Sequence, residues 1–171
     1  MLLAIFTSGE SIVTAEFNRR VLKDPVLFTA FGFGTGLAPK APGTFGTLPA
    51  LVLGWYTASL AMEYRLGIAV VLIIVGVWLC GEAARRIGVH DHSGIVWDEI
   101  AGMYLVLLVT PVSLSLYALA FGLFRLFDIW KPWPIRDLDH RLGGGTGIML
   151  DDLVAALYAA LVLVFCRWLM V

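Results

Sequence analysis

Residues 95 to 127 read IVWDEIAGMYLVLLVTPVSLSLYALAFGLFRLF, and this stretch decides the fold because two long apolar runs flank one short turn. Ile95 to Thr110 and Val112 to Phe127 each hold sixteen residues. As helices they would each extend about 24 Å, which approaches the thickness of the hydrocarbon core of a bilayer, about 30 Å. The stretch therefore predicts a pair of short helices in a membrane.

Similar apolar runs occur on both sides of this pair, at Thr47 to Met62, Leu66 to Cys80 and Met149 to Val171. The chain of 171 residues is 60% hydrophobic and 15% charged, with a mean hydropathy of +0.88, which exceeds what a soluble domain tolerates. The sequence predicts an all-α, polytopic membrane helical bundle with about four to five short transmembrane helices and long cytoplasmic loops. We expect residues 26–171 to form a single membrane-embedded domain and residues 1–25 an N-terminal tail or an interfacial helix.

The connections between the apolar runs differ in length, and this difference gives the topology. Glu63-Tyr64-Arg65 and Thr110-Pro111 are predicted to be minimal turns. The long connections, which are polar and rich in glycine and proline, are Phe31 to Gly46, Gly81 to Gly94, and Asp128 to Gly147. If the runs cross a membrane in order, all the long connections fall on one side and both minimal turns on the other.

Ten of the twelve Lys and Arg residues lie on the side of the long connections, and only Arg65 and Arg167 lie opposite. The ten are Arg19, Arg20, Lys23, Lys40, Arg85, Arg86, Arg125, Lys131, Arg136 and Arg141. Because cytoplasmic loops of membrane proteins carry an excess of Lys and Arg, the long connections are predicted to face the cytoplasm.

Five carboxylates are predicted at helix ends on this same side. Asp98 and Glu99 would lie in the first turn of the third run, Asp128 in the last turn of the fourth, and Asp151 and Asp152 in the first turn of the fifth. Carboxylates that converge at one level repel each other unless a divalent cation neutralises them. Since hard oxygen ligands are offered and no thiolates, the expected ion is Mg²⁺ or Mn²⁺.

Helix capping is the alternative explanation for four of these acids, because the helix dipole favours negative charge in a first turn. It does not explain Asp128, which is predicted at the opposite end of its helix. Neighbouring helical residues point about 100° apart. We therefore expect only one acid of the pair Asp98 and Glu99, and one of the pair Asp151 and Asp152, to face a shared metal.

A glycine-rich loop, GFGTGLAPKAPGTFGTL at residues 32 to 48, precedes the first long apolar run. Its glycines would let backbone N–H groups approach an anion, and the helix that follows would attract one at its N-terminus. It is neither a dinucleotide-binding fingerprint nor a P-loop. The candidate anion-binding residues are Gly34, Thr35, Gly36, Lys40, Gly43 and Thr44. An irregular loop without a ligand is the alternative.

Two further groups of polar residues lie on the same side. His90-Asp91-His92 could transfer protons or bind a metal, although a histidine in a loop is often only solvated. Lys131 and Arg136, with Arg125 before them, are natural partners of phosphate groups. The proline-rich run that contains Lys131 and Arg136 is equally suited to ending a helix at a membrane interface.

Four motifs give the chain a close resemblance to a known family. They are the glycine-rich loop at 32 to 48, HDHSGIVWDEIAG at 90 to 102, FRLFDIWKPWPIRDLD at 124 to 139, and GGGTGIMLDD at 143 to 152. Together they resemble the phosphatidylglycerophosphatase A family of bacterial membrane lipid phosphatases, with Thr35 and Thr47 standing where serine is expected. The resemblance implies Mg²⁺-dependent removal of the terminal phosphate of phosphatidylglycerophosphate, giving phosphatidylglycerol at the cytoplasmic leaflet of the inner membrane. The implied partners are a phospholipid substrate and the membrane, with no nucleic acid.

The site residues are assigned roles on this basis. The expected metal ligands are Glu99, Asp128, Asp151 and Asp152, with Asp98 beside them. Lys131, Arg136 or Lys40 and the amides of the glycine-rich loop would stabilise the phosphoryl oxygens. His90, Asp91 or His92 would protonate the leaving alkoxide. Direct attack by water is the expected route, and a covalent phospho-aspartate is its alternative.

A function of a different class uses the same acids. Buried carboxylates can coordinate a translocated cation in an ion-coupled transporter or channel subunit. The acids of this chain are predicted at helix ends and not at the middle of the membrane, which argues against transport.

Overall fold

This computed structural model describes residues 14–90, 92–133 and 143–169. Most of these residues are helical. The helices are α1 (residues 14–23), α2 (Pro25–Ala30), α3 (Pro42–Thr57), α4 (Met62–Ile87), α5 (Trp97–Leu108), α6 (Leu114–Trp130) and α7 (Gly144–Leu169), with a 3-10 segment at Gly32–Leu37. No strand occurs within the described ranges, and the prediction of an all-α fold is confirmed.

Helices α3 to α7 run alternately in opposite directions, so each end of the bundle collects one kind of connection. Arg65, near the start of α4, donates a hydrogen bond to the Leu107 carbonyl at 2.8 Å. Arg167, near the end of α7, donates to the Val109 carbonyl at 3.2 Å. We call this the far end, and the opposite end, where α3, α5 and α7 begin and α6 ends, the pocket end. The short turns lie at the far end with Arg65 and Arg167, as the sequence predicts.

Two of the described helices, α4 and α7, are long and apolar enough to cross a membrane. Each holds 26 residues, which extend about 39 Å at 1.5 Å per residue. Helices α3, α5 and α6 hold 16, 12 and 17 residues, or about 24, 18 and 26 Å. The expected count of four to five spans is therefore not confirmed.

Helix α5 lies at the centre of the bundle and is buried on nearly all sides. Ile100, Met103 and Tyr104 are each at most 3% exposed. Helices α3, α4, α6 and α7 pack around it. Because α5 packs against other helices and not against lipid, it need not be long enough to cross a bilayer. Its length of only 12 residues is consistent with this position.

The start of α7 packs closely against α4 at Gly145. A Cβ atom on Gly145 would lie 1.8 Å from the Val77 carbonyl oxygen, so no larger residue fits there. Helix α7 therefore begins at this contact, ahead of the apolar run. The prediction that Asp151 and Asp152 occupy a first turn is wrong, because α7 starts at Gly144 and not at Met149. Both acids lie inside the helix, and N-terminal capping does not explain them.

Other helix ends also differ from the hydropathy pattern, which marks the apolar middle of a helix and misses its polar ends. Glu63-Tyr64-Arg65 is not a turn but belongs to the start of α4, and the chain turns at residues 58–61. The helix α3 begins at Pro42, not at Thr47.

The connection predicted from Gly81 to Gly94 begins seven residues later, because α4 continues to Ile87. Glu82 forms ion pairs with Arg85 and Arg86, three and four residues along the helix, and these pairs stabilise its polar last turns.

The N-terminal segment packs on the pocket end of the bundle. The Phe17 ring lies 6.0 Å from the Phe31 ring and stacks on His92 at 5.2 Å. Asp24 caps α2 by accepting hydrogen bonds from the Val26 and Leu27 amides. Residues 14–23 are helical and contact the rest of the protein. The expectation that residues 1–25 form a tail or an interfacial helix at the membrane stays a prediction.

Replacing Asp24 by Ala is expected to lower the free energy of unfolding by about 1–2 kcal/mol, and Tm by about 2–8 °C, because both the helix cap and the ion pair with Arg86 are lost. Arg86 lowers the pKa of Asp24 below its usual 3.8, so this contribution is present above that pH and is lost as pH falls through the lowered value. Thermal unfolding in detergent measures the change. Lys23→Ala at the exposed neighbour is the control, and equal Tm values for Asp24→Ala and Lys23→Ala would contradict the prediction.

Candidate active site

A cavity of about 240 Å³ opens at the pocket end between the starts of α3 and α5, the end of α6 and the third turn of α7. Five carboxylates and two cations line it. They are Asp98, Glu99, Asp128, Asp151 and Asp152, with Arg125 and Lys131. The sequence-based expectation that these acids converge is met, since residues far apart in the chain share one small volume.

Three of the carboxylates form a tight cluster. Asp98, Glu99 and Asp152 each offer one oxygen, and these oxygens all lie within 4.8 Å of one another. Asp98 is 8% and Asp152 2% exposed. We call these residues the carboxylate trio. In the part of the chain that the structure describes, no group donates a hydrogen bond to the buried atoms Glu99 Oε2 and Asp152 Oδ2.

The carboxylate trio fits a hard divalent cation. Mg²⁺ binds oxygen ligands at about 2.1 Å in octahedral geometry, so its ligand atoms lie at most about 4.2 Å apart. The oxygens of the trio need only a small movement to meet that limit. Buried carboxylate oxygens without donors are costly, and a cation is the partner that such atoms require.

The trio corrects one expectation from helix geometry. Asp98 and Glu99 both reach the cluster, although neighbouring residues point about 100° apart on a helix. Rotation about the side-chain bonds closes this angle, because the carboxylate oxygens lie several bonds beyond the backbone. For the other pair the expectation holds, since Asp152 joins the cluster while Asp151 binds a lysine.

Ion pairs hold the remaining carboxylates. Arg125 donates from Nη1 to Asp128 Oδ2 and, at 3.4 Å, to Glu99 Oε1. Lys131 donates from Nζ to Asp151 Oδ2 at 2.6 Å. Asp128 and Asp151 therefore line the cavity and orient its two cations. The ligand roles given to Asp128 and Asp151 stay predictions.

The start of α3 forms one wall of the cavity. Ala41, Pro42 and Gly43 line it. A Cβ atom on Gly43 would lie 2.2 Å from Glu99 Oε1 and 2.9 Å from the Arg125 guanidinium nitrogens. A methyl group at position 43 would therefore displace the ends of the Glu99 and Arg125 side chains. Thr44, the next residue in α3, is half-buried.

The first half of the glycine-rich loop lies outside the cavity lining. Thr35 donates its hydroxyl to the Gly32 carbonyl at 2.8 Å, which closes the 3-10 turn. Gly34 has a φ of 94° beside Leu22, and Gly36 packs on the backbone of another loop. Lys40 is exposed. Gly43 therefore lies at the cavity, whereas Gly34, Thr35 and Gly36 determine the conformation of the loop.

The two described histidines make structural hydrogen bonds. His90 Nε2 accepts from the Gly144 amide at 2.7 Å, at the start of α7. His92 Nδ1 accepts from the Gly94 amide at 3.0 Å. Neither lines the cavity. Asp91 and Arg136 lie outside the described residues. Ser93 does line the cavity, and only its place beside the histidines could have drawn attention to it.

Comparisons with known proteins agree with the resemblance seen in the motifs. A model of the family described as Phosphatidylglycerophosphatase A matches residues 28–167. The phosphatidylglycerophosphatase A of Escherichia coli (strain K12) is 43% identical over 150 residues, which cover 86% of this chain and 87% of that protein. The phosphatidylglycerophosphatase A of Haemophilus influenzae is 45% identical over 148 residues, covering 82% and 88%. No solved structure matches the chain.

The fit of a cation to the trio predicts a stabilisation that can be measured without turnover. A Mg²⁺ concentration of a hundred times its Kd is expected to raise the free energy of unfolding by about 2.7 kcal/mol, and EDTA is expected to reverse this effect. Gly43→Ala is expected to reduce the Mg²⁺-dependent rise in Tm, because its methyl group displaces Glu99. Gly122→Ala is the control, since its Cβ meets open space. A full Mg²⁺ response in Gly43→Ala would contradict the close approach.

Proposed function

This chain belongs to the phosphatidylglycerophosphatase A family, and from that premise we propose that it hydrolyses the terminal phosphate of phosphatidylglycerophosphate to give phosphatidylglycerol. The proposed reaction depends on Mg²⁺ and takes place at the cytoplasmic leaflet of a bacterial inner membrane. The observation that carries the proposal is the carboxylate trio beside two cations in one cavity.

The charges of the cavity support a metal-dependent reaction. Five carboxylates stand against two cations, so three negative charges are in excess. A phosphomonoester is itself an anion and would be repelled by this surface. Bound Mg²⁺ would neutralise the trio and polarise the phosphoryl group as a Lewis acid.

Arg125 and Lys131 are suited to the phosphoryl oxygens. The Arg125 side chain is 14% exposed, and its Nε donates no hydrogen bond within the described residues. Asp128 and Glu99 both accept hydrogen bonds from its Nη1, so the guanidinium is oriented before a substrate binds. Asp151 holds Lys131 in the same way. Oriented donors of this kind stabilise the charge that develops on a transferring phosphoryl group.

The leaving oxygen needs a proton. His90 and His92 are engaged in loop hydrogen bonds and do not line the cavity, so we transfer this role to Lys131, whose Nζ carries a proton at the cavity wall. Direct attack by water remains the proposed route. Trapping of a phosphorylated aspartate during turnover would overturn it in favour of a covalent intermediate.

Transport of a cation is not favoured by the structure. The trio lies in the first turn of α5 and the third turn of α7, near one end of the bundle. Ion sites of transporters lie near the middle of the membrane, at broken helices.

Glu99→Gln and Asp152→Asn are each expected to lower kcat for phosphate release by about 10²–10³-fold, because each removes a charged oxygen from the trio. Release of inorganic phosphate from phosphatidylglycerophosphate in detergent, with Mg²⁺ or with EDTA, is the measurement. Glu63→Gln at the exposed far end is the matched control and keeps wild-type activity. Full Mg²⁺-dependent activity in Glu99→Gln would refute the metal site.

Orientation is tested by labelling single cysteines in intact cells, in a variant that carries Cys166→Ser. Lys40→Cys at the pocket end is expected to react with a membrane-impermeant maleimide only after the cells are opened. Glu63→Cys at the far end is expected to react in intact cells, because the positive charge lies at the pocket end. The reverse pattern of labelling would place the cavity at the outer leaflet.

A further inference from the structure

An apolar groove of about 550 Å³ runs between α3 and α6 on the surface of the bundle. Leu48, Val52 and Trp55 line it from α3, and Leu114, Ala118 and Phe121 line it from α6. These side chains are well exposed for apolar groups, with Val52 at 56%, Trp55 at 52% and Leu114 at 82%. We call this surface the α3/α6 groove.

The groove begins close to the carboxylate cavity, because the same two helices line both. Gly43 of α3 and Arg125 of α6 belong to the cavity, and Leu48 and Phe121 belong to the groove. Arg125 and Phe121 are four residues apart, which is about one helical turn or 5.4–6 Å. Along these two helices, the surface therefore changes from polar and cationic at the cavity to apolar at the groove.

We propose that the α3/α6 groove binds an acyl chain of the same phospholipid whose phosphate enters the cavity. This inference rests on the proposed function and adds a second contact region for that substrate. A phospholipid has a charged head and apolar chains, and the cavity and the groove offer the matching surfaces in the matching order.

The length of the groove agrees with this occupant. On α6 the groove runs from Phe121 to Leu114, which lie seven and fourteen residues from Asp128, or about 10 and 21 Å along the helix axis. One leaflet supplies about half of a hydrocarbon core of about 30 Å. An acyl chain that descends from a phosphate near Asp128 therefore passes the groove-lining part of α6.

A second apolar groove provides an internal control. It has about 570 Å³ and is lined by Leu60, Glu63, Tyr64 and Gly67 at the start of α4, together with three apolar residues of the same helix. Its position at the far end separates it from the carboxylate cavity. Both grooves can take bulk lipid in a membrane, but of the two the α3/α6 groove lies nearer to the carboxylate cavity.

The test compares two substrates in variants that fill one groove or the other. Ala118→Trp and Val52→Trp fill the α3/α6 groove from opposite walls, and Gly67→Trp fills the control groove, where its Cβ meets open space. We expect Ala118→Trp and Val52→Trp to lower kcat/KM for dioleoyl phosphatidylglycerophosphate at least tenfold. Activity on the dihexanoyl substrate, whose chains are too short to reach the groove, should change less than twofold. Gly67→Trp should change neither.

A second measurement does not depend on these substitutions. The wild-type protein is irradiated, with Mg²⁺ present, in complex with a dioleoyl-length phosphonate analogue of phosphatidylglycerophosphate that resists hydrolysis and carries a diazirine at the middle of one chain. Crosslinks are expected in the peptides of α3 and α6 and not in the start of α4.

The outcomes separate the two proposals. Equal losses on both substrates, no loss on either, or crosslinks that favour the start of α4 would overturn the acyl-chain site while phosphate release by the wild-type protein stands. Absence of phosphate release from both substrates by the wild-type protein would instead refute the proposed function, and with it the groove as a substrate site.

Discussion

The excess of carboxylates over cations in the lining of the cavity is the constraint on which the rest of the structure depends. Removing several carboxylates from water is costly unless each gains a partner. Arg125 and Lys131 supply partners for Asp128 and Asp151, and the oxygens of the carboxylate trio lie close enough together to share a cation. The fold must therefore hold helices α3, α5, α6 and α7 close enough that these groups stay paired.

Close helix packing at glycine meets this requirement. Gly43 lets the start of α3 touch Glu99 and Arg125, and Gly145 lets α7 touch the backbone of α4. The central helix α5 is buried on all sides and carries two of the three clustered acids in its first turn. The residues that pack the helices together are therefore also those that position the site, because the same contacts set the distances between the carboxylates.

Much of this arrangement could be predicted from the sequence, and the errors have physical causes. Charge distribution and loop length predicted which ends of the helices meet, and the positions of the acids at helix ends predicted that they converge. Hydropathy located the apolar middle of α4 but missed its last turns, which Glu82 and Arg86 stabilise. The position of His90 outside the cavity lining could not be predicted, because a residue type indicates a capability while its hydrogen bond to Gly144 depends on tertiary contacts.

The unequal lengths of the helices have a consequence for the surrounding lipid. Helices α3 and α6 extend about 24 and 26 Å, while α4 and α7 extend about 39 Å. Where α3 and α6 face a bilayer that α4 and α7 cross, that bilayer would have to become thinner by several ångströms, at a cost of fractions of a kcal/mol per ångström. Headgroups on that flank would sit deeper than in the bulk membrane. The protein would thus deform the membrane locally, so that a lipid reaches the carboxylates by diffusing sideways rather than by leaving its leaflet.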